Sequence, residues 1–126
     1  MISTIPPEKI FKSYDIRGIY PQDLNEDFAV PIIKAIYKVI QEQLQTDEPL
    51  TVAVGRDMRL SSPAIFAAVS KTLVELGANV IDLGVVSTPT FYFAVFNNYY
   101  LFFNNRMDFA CYVSEKYFLS QHLAFH

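Results

Sequence analysis

The sequence predicts an α/β protein: a three-layer α/β/α domain with a mostly parallel, mixed sheet that we expect to be incomplete at its C-terminal end. Short apolar runs rich in β-branched residues alternate with longer segments of helical periodicity, and the connections between them are short. Glycine, proline and helix-capping residues stand at the ends of these segments. A chain of 126 residues is long enough to bury the core of one such domain.

The first predicted elements are a short strand and a long helix. Residues 11–16 alternate loosely in polarity, which predicts a strand that ends at Arg17 and Gly18. Asn25 is a favourable N-cap for the helix that follows. Pro31 lies about two turns from that cap and predicts either a kink or a later helix start. The helix should end before Pro49, and its apolar stripe consists of Phe28, Ile32, Ile33, Ile36, Ile40 and Leu44.

A strand, a helix and a second strand follow in the predicted order. Residues 50–54 form an apolar run that Gly55 should end, and residues 79–83 form another that Gly84 should break. Between them, Ser62 should cap a helix that Gly77 closes. A third helical segment should open at Thr88-Pro89 and reach about residue 96. The predicted buried stripe of the middle helix consists of Ile65, Ala68, Val69, Leu73 and Leu76.

The last thirty residues differ in character from the rest. Thirteen of the nineteen aromatic residues lie in the last 36 positions, whereas the four glycines all lie at or before Gly84. No helical or strand periodicity is clean beyond Asn97. We therefore divide the chain into residues 1–97, which carry the alternating strand and helix pattern, and residues 98–126, an aromatic tail. A frameshift and a genuine alternative end both remain open explanations of that tail.

Composition narrows the classes of partner and compartment. The net charge is −3 and there is no basic run, so nucleic acid and an anionic membrane surface are not expected partners. Cys111 is the single cysteine, which excludes an intramolecular disulfide and favours a cytoplasmic location. Residues 83–105 carry no charge and are long enough to span a bilayer. Asn97 and Asn98 would be costly in lipid, which favours a buried strand-loop-helix unit over a membrane span.

Arginines near glycines are the candidate functional groups. Arg17 precedes Gly18, and Arg56 and Arg59 follow Gly55. A guanidinium group can hold a phosphate monoester through two parallel hydrogen bonds. The simpler interpretation is that Arg17 forms a surface ion pair and that Asp57 bonds loop amides and neutralises one arginine. Ser61 and Ser62 are better explained as helix caps than as nucleophiles. Cys111, His122 and His126 have no neighbours that would make a metal site or an activated thiol.

Two segments in this order resemble the first domain of the phosphohexomutases, the phosphoglucomutase/phosphomannomutase family. They are residues 14–18, Tyr-Asp-Ile-Arg-Gly, and residues 55–59, which match the family's Gly-Arg-Asp-x-Arg. The Ser-Thr-Pro-Thr segment at residues 87–90 also resembles the family's Thr-Pro segment. The resemblance covers roughly residues 9–97. It implies a sugar-phosphate isomerase fold in which Tyr14, Arg17, Arg56 and Arg59 contact the substrate and Asp57 orders the loop.

The family's nucleophile has no clear counterpart here, so no catalytic residue is assigned. The family carries its phosphate on a Thr/Ser-Ala-Ser-His-Asn-Pro motif, and the nearest approximations in this chain are residues 113–116 and 120–122. The intact family binds Mg²⁺ through a second-domain Asp-x-Asp-x-Asp loop, and we expect no tight Mg²⁺ binding by this chain. The resemblance therefore implies an inactive domain that binds hexose phosphate weakly, if at all. A non-catalytic phosphate-binding module and an interaction module that self-associates through residues 91–103 are the alternatives.

Overall fold

A computed structural model describes Pro6 and residues 16–17, 21–22, 25–58, 62–87, 89–91, 93, 109–113 and 117–122. Its elements in chain order are β1 (Ile16–Arg17), α1 (Glu26–Leu44), β2 (Thr51–Arg56), α2 (Ser62–Glu75), β3 (Asn79–Val85), β4 (Phe109–Val113) and β5 (Tyr117–His122). The five strands form one sheet in the order β1-β5-β4-β2-β3. β2 is parallel to both β3 and β4, whereas β5 is antiparallel to β4 and to β1. The predicted α/β class and mixed sheet are confirmed.

The long helix α1 starts where its capping residue predicts. The Asn25 side chain accepts a hydrogen bond of 2.8 Å from the Phe28 amide, which closes the first turn. The helix then continues through Pro31 to Leu44, so the predicted later start is wrong. Of the predicted stripe, Ile36 and Leu44 are partly buried against the core, and the remaining members are buried: Phe28, Ile32, Ile33 and Ile40.

Helix α2 buries three residues of its predicted stripe, Ile65, Val69 and Leu73, whereas Ala68 is half-buried. Leu76 is 37% exposed because the helix ends at Glu75 and Leu76 lies beyond its last turn. Thr72 is buried instead, and its hydroxyl donates to the Ala68 carbonyl within the helix. Gly77 closes the helix as predicted: its φ is +92° and the next amide, of Ala78, donates back to the Leu73 carbonyl.

The sheet has a helical layer on each face. Alternate residues of β2 and β4, Val52 and Val54 with Cys111 and Val113, share one buried cluster with α1 and α2. The intervening residues point to the opposite face because strand side chains alternate. There the Tyr112 ring lies 5.2 Å from the ring of Phe91, centroid to centroid. Phe91 belongs to the predicted third helical segment, where residues 89, 90, 91 and 93 are helical.

Both glycines that were expected to end strands lie inside them. β2 continues through Gly55 to Arg56, and β3 continues through Gly84 to Val85. The register shifts between Val54, which pairs with Asp82, and Gly55, which pairs with Gly84. One extra residue on β3 therefore forms a β-bulge, and Gly84 adopts a φ of +76° there. Arg56 is consequently a strand residue and not a loop residue.

The tail contributes two strands that no sequence periodicity indicates. β4 lies between β2 and β5 in the sheet, and its residues 110–113 are all buried. A strand that is covered on both faces has no polar positions, so it lacks the alternation by which strands are recognised. The division at residue 97 stays a prediction, but the sheet draws strands from both sides of it.

Candidate functional site

The carboxyl ends of four strands lie along one edge of the sheet. The register aligns Ile16, Phe118, Val113, Arg56 and Val85 in one row across the five strands. β1 and β4 run in the same direction because each is antiparallel to β5. The strand ends at Arg17 and Arg56 therefore lie at the same edge. Three strand spacings separate them, which corresponds to roughly 14 Å between the two backbones.

Backbone hydrogen bonds tie these strand ends together beyond the ladder itself. The Val86 amide donates to the Arg56 carbonyl at 2.8 Å, and the Asp57 amide donates to the Val113 carbonyl at 3.1 Å. Three neighbouring strands, β3, β2 and β4, are thus joined just where their chains leave the sheet. Ligands of open α/β sheets bind outside the carboxyl ends of strands, so this edge is the candidate site.

Asp57 closes the connection between β2 and α2. Its carboxylate accepts a hydrogen bond from the hydroxyl of Ser62, which is buried at the start of α2. The Ser62 hydroxyl is thereby committed to a structural contact, in keeping with the interpretation that it is not a nucleophile. This contact also fits the predicted role of Asp57 in ordering the loop.

Arg56 has partners that its sequence position did not reveal. Its Nη1 atom lies 3.1 Å from Oδ1 of Asp82, and its guanidinium carbon lies 4.2 Å from the centroid of the Phe66 ring. The two charged side chains are 22% and 55% exposed, respectively. The carboxylate that neutralises Arg56 is therefore Asp82 and not Asp57. The same Asp82 oxygen accepts a 2.7 Å hydrogen bond from the Gly84 amide inside the bulge.

Sequence reasoning missed Asp82, although a signal exists. It is the one charged residue of β3, and a glycine follows two positions later. That pattern is compatible with a carboxylate that bonds the backbone of a bulge. Its pairing with an arginine 26 residues away requires the tertiary structure.

The remaining predicted site residues are described only in part. Arg17 is placed by its backbone in β1, whereas Tyr14 and Arg59 lie outside the described residues. Ser61 and Thr88 also lie outside them. Ser87, by contrast, caps the third helical segment, since its hydroxyl oxygen accepts from the Thr90 amide at 3.3 Å.

The two segments that approximate the nucleophile motif, residues 113–116 and 120–122, lie at different positions relative to β4. Ser120 pairs with Cys111 in the middle of β4, and His122 pairs with Phe109 at the opposite end of that strand. Neither is at the carboxyl edge. Ser114 follows directly after the carboxyl end of β4, although residues 114–116 themselves lie outside the described part of the chain.

The described residues contain no group of three His, Cys, Asp or Glu side chains that could hold a metal ion. Among the same residues, no helix is both long and apolar enough to cross a bilayer. Cys111, the single cysteine of the sequence, is buried in β4.

The fold agrees with the comparisons to known proteins. Residues 8–102 match the family model described as "Phosphoglucomutase/phosphomannomutase, alpha/beta/alpha domain I". The chain therefore belongs to the phosphoglucomutase/phosphomannomutase family and corresponds to its first domain.

Individual relatives support the same assignment. A phosphomannomutase/phosphoglucomutase of Pseudomonas putida is 43% identical over 88 residues, which are 70% of this chain and 18% of that protein. A phosphomannomutase of Salmonella typhimurium is 40% identical over 87 residues, 69% of this chain and 18% of that protein. The chain thus spans about a fifth of the length of these curated relatives.

A solved structure extends the likeness beyond the family model. A phosphoglucomutase/phosphomannomutase family protein from Burkholderia thailandensis superposes with a TM-score of 0.73 at 30% sequence identity. The superposition covers 97% of this chain and 27% of that one. The superposition therefore extends past residues 8–102, the part of the chain that the family model matches.

Proposed function

We propose that this chain is a phosphohexomutase first domain that retains part of a phosphate-binding cleft and does not isomerise sugar phosphates by itself. The observation that carries the proposal is the common sheet edge, which brings the strand ends at Arg17 and Arg56 within roughly 14 Å of one another. Tyr14, Arg17 and Arg59 are the proposed contacts for the phosphate group of a hexose phosphate. The arginine forks supply charge and paired donors for the phosphate oxygens.

The lack of turnover follows from the residues after β4. The family motif would place its hydroxyl nucleophile there, and this chain reads Ser-Glu-Lys at residues 114–116, without Asn-Pro. Phosphoryl transfer also depends on metal and on cations around the moving group. The sequence contains no Asp-x-Asp-x-Asp run, and we propose that the chain alone does not hold Mg²⁺ tightly.

An activity assay tests this part of the proposal. Conversion of glucose 1-phosphate and mannose 1-phosphate should be measured with Mg²⁺ and the bisphosphate activator. We expect the wild-type chain to show no more turnover than a Tyr14→Phe/Arg17→Ala double variant. Turnover clearly above that control would show that the chain is a competent enzyme.

Titration calorimetry tests whether the cleft binds phosphate. We expect weak binding of inorganic phosphate and glucose 6-phosphate that Arg17→Ala removes. Lys34→Ala is the matched control, because it removes one exposed positive charge from α1. Loss of binding in both variants would indicate only a general charge effect. Absence of binding at millimolar ligand would contradict a phosphate cleft.

An interaction module is the second candidate, and one observation favours it. Phe93 is 67% exposed, and it lies in a stretch of eight aromatics between residues 91 and 103. Exposed aromatic surface of this kind promotes association. Size-exclusion chromatography should then show concentration-dependent dimers that Phe93→Ser shifts toward monomer. A clean monomer at all concentrations would remove this candidate.

A cytoplasmic location is also proposed. It is supported by the single cysteine and by the similarity to proteins named for sugar-phosphate isomerisation. Fractionation of cells that express the chain would test it, and recovery with a membrane fraction would contradict it.

A further inference from the structure

The guanidinium of Arg56 is turned away from the proposed cleft. Its ion-pair partner, Asp82, lies on β3, which is on the side of β2 opposite to β4, β5 and β1. Asp82 is also level with Val54, two residues before Arg56, so the side chain folds back from the carboxyl edge. A phosphate held by Arg17 on β1 would lie on the other side of β2. Arg56 could reach that phosphate only by giving up its present partners.

Those partners join three different elements. The guanidinium of Arg56, from β2, stacks on Phe66 in the second turn of α2 and pairs with Asp82 of β3. The Gly84 amide of the bulge donates to the carboxylate of Asp82 and so fixes the position of that carboxylate on β3. The planar face of the guanidinium group stacks on an aromatic ring, and its edge bonds a carboxylate. These two contacts restrict both the tilt of the guanidinium plane and its rotation within that plane.

We infer that Asp82 is a positioning residue: through Arg56 and Phe66 it holds the amino end of α2 against the carboxyl end of β2. This inference rests on the proposed phosphate cleft for its functional consequence. The Asp57–Ser62 hydrogen bond holds the first residue of α2 beside the end of β2. The contacts of Arg56 with Asp82 and Phe66 hold the next turn of α2 against the same strand. Together they set the separation between the two ends of the connection that carries Arg59. Arg56 then affects phosphate binding indirectly, by positioning this connection, and does not contact the phosphate.

Amide hydrogen exchange without ligand tests the arrangement directly. The first amides bonded within α2 are those of residues 66–69, since the first four helical amides have no intrahelical partner. We expect Asp82→Asn to speed exchange at these amides about two- to fivefold, the range for a partly exposed ion pair. Glu75→Gln is the matched control, because it neutralises a carboxylate 4.0 Å from Lys71 on the same helix, exposed and distant from Asp82. Unchanged exchange in Asp82→Asn would overturn the inference.

A double-variant cycle tests whether Asp82 acts through Arg56. In an Arg56→Gln background, Asp82→Asn should add less than a twofold further change in exchange, because its partner is already gone. Arg56→Lys should behave like Arg56→Gln, since an ammonium group keeps the charge but loses the planar face on Phe66. Additive effects of the two substitutions would show that Asp82 acts independently of Arg56, contrary to the inference.

Titration with inorganic phosphate separates positioning from direct contact. If Arg56 positions the cleft, Asp82→Asn should weaken phosphate binding about two- to fivefold. If Arg56 is itself a phosphate ligand held back by Asp82, the same substitution should tighten binding, and the inference is wrong. Should the wild-type chain bind no phosphate while Asp82→Asn still speeds exchange, the cleft proposal fails and the structural arrangement stands.

Discussion

The hydroxyl of Tyr112 donates a hydrogen bond of 2.7 Å to the carbonyl of Val86. Tyr112 belongs to β4, in the region where the sequence resemblance has ended, whereas Val86 directly follows β3 in the region that resembles the family. The Tyr112 ring also contacts Phe91, and its neighbours Cys111 and Val113 are part of the core. The aromatic tail thus contributes buried side chains and a hydrogen bond to the same domain.

Removal of this hydroxyl should destabilise the whole domain. Tyr112→Phe keeps the ring against Phe91 but leaves the Val86 carbonyl without this donor, at a cost of about 1–2 kcal/mol. The free energy of unfolding from urea titration measures the effect, and the slope of the transition should not change. An unchanged midpoint would mean that β4 is not part of the cooperative unit.

The sequence predicted local features well and long-range partners poorly. Asn25 and the apolar stripe of α1 identified that helix because both signals lie within the helix itself. The end of β2 was misplaced because Gly55 usually ends a strand, whereas here the bulge at Gly84 lets the pairing continue to Arg56. The Arg56–Asp82 pair could not be predicted, since it depends on the register between two strands.

β4 shows a further limit of pattern reasoning. Its residues 110–113 are buried on both faces, so the strand reads as an apolar run without alternation. The same limit applies to the candidate site. The arginines could be identified from the sequence by their chemistry. Only the structure shows that Arg17 and Arg56 lie at one edge of the sheet and that the Arg56 side chain pairs with Asp82 on β3, the outermost strand beside β2.

A methyl group at Gly55 should not fit the packing on the Phe91 face of the sheet. A Cβ atom there would lie 3.0 Å from Cδ2 of Phe91 and 3.2 Å from Cγ2 of Val86. Gly55→Ala should therefore lower the free energy of unfolding by about 1–3 kcal/mol, the usual cost of overpacking. Thermal or urea denaturation measures the loss.

A second substitution shows whether the clash with Phe91 is the cause. In a Phe91→Leu background the added methyl group of Gly55→Ala meets a smaller side chain, so its cost should shrink to below about 1 kcal/mol. An equal cost in both backgrounds would point to the backbone conformation of β2 and not to the ring.

The hydroxyl of Tyr37 ties α1 to the start of β2. It accepts a 2.9 Å hydrogen bond from the Leu50 amide, and both residues are buried. Tyr37→Phe leaves that amide unsatisfied inside the protein, which should cost about 1–3 kcal/mol of unfolding free energy. The Leu50 amide should also exchange faster with solvent, which NMR detects. Wild-type exchange at Leu50 would contradict the assigned role of the hydroxyl.

Gln45 ends α1 in a conformation that favours glycine. Its φ is +54°, in the left-handed region, and its amide and that of Thr46 donate back to the last turn. The side chain is exposed, so Gln45→Gly should relieve backbone strain at little other cost and stabilise the domain by about 0.5–1 kcal/mol. Gln43→Gly is the matched control: two residues earlier, within the helix, the same change should destabilise by about 0.5–1 kcal/mol. Urea denaturation of the two variants should give shifts of opposite sign, and shifts of the same sign would contradict the left-handed cap.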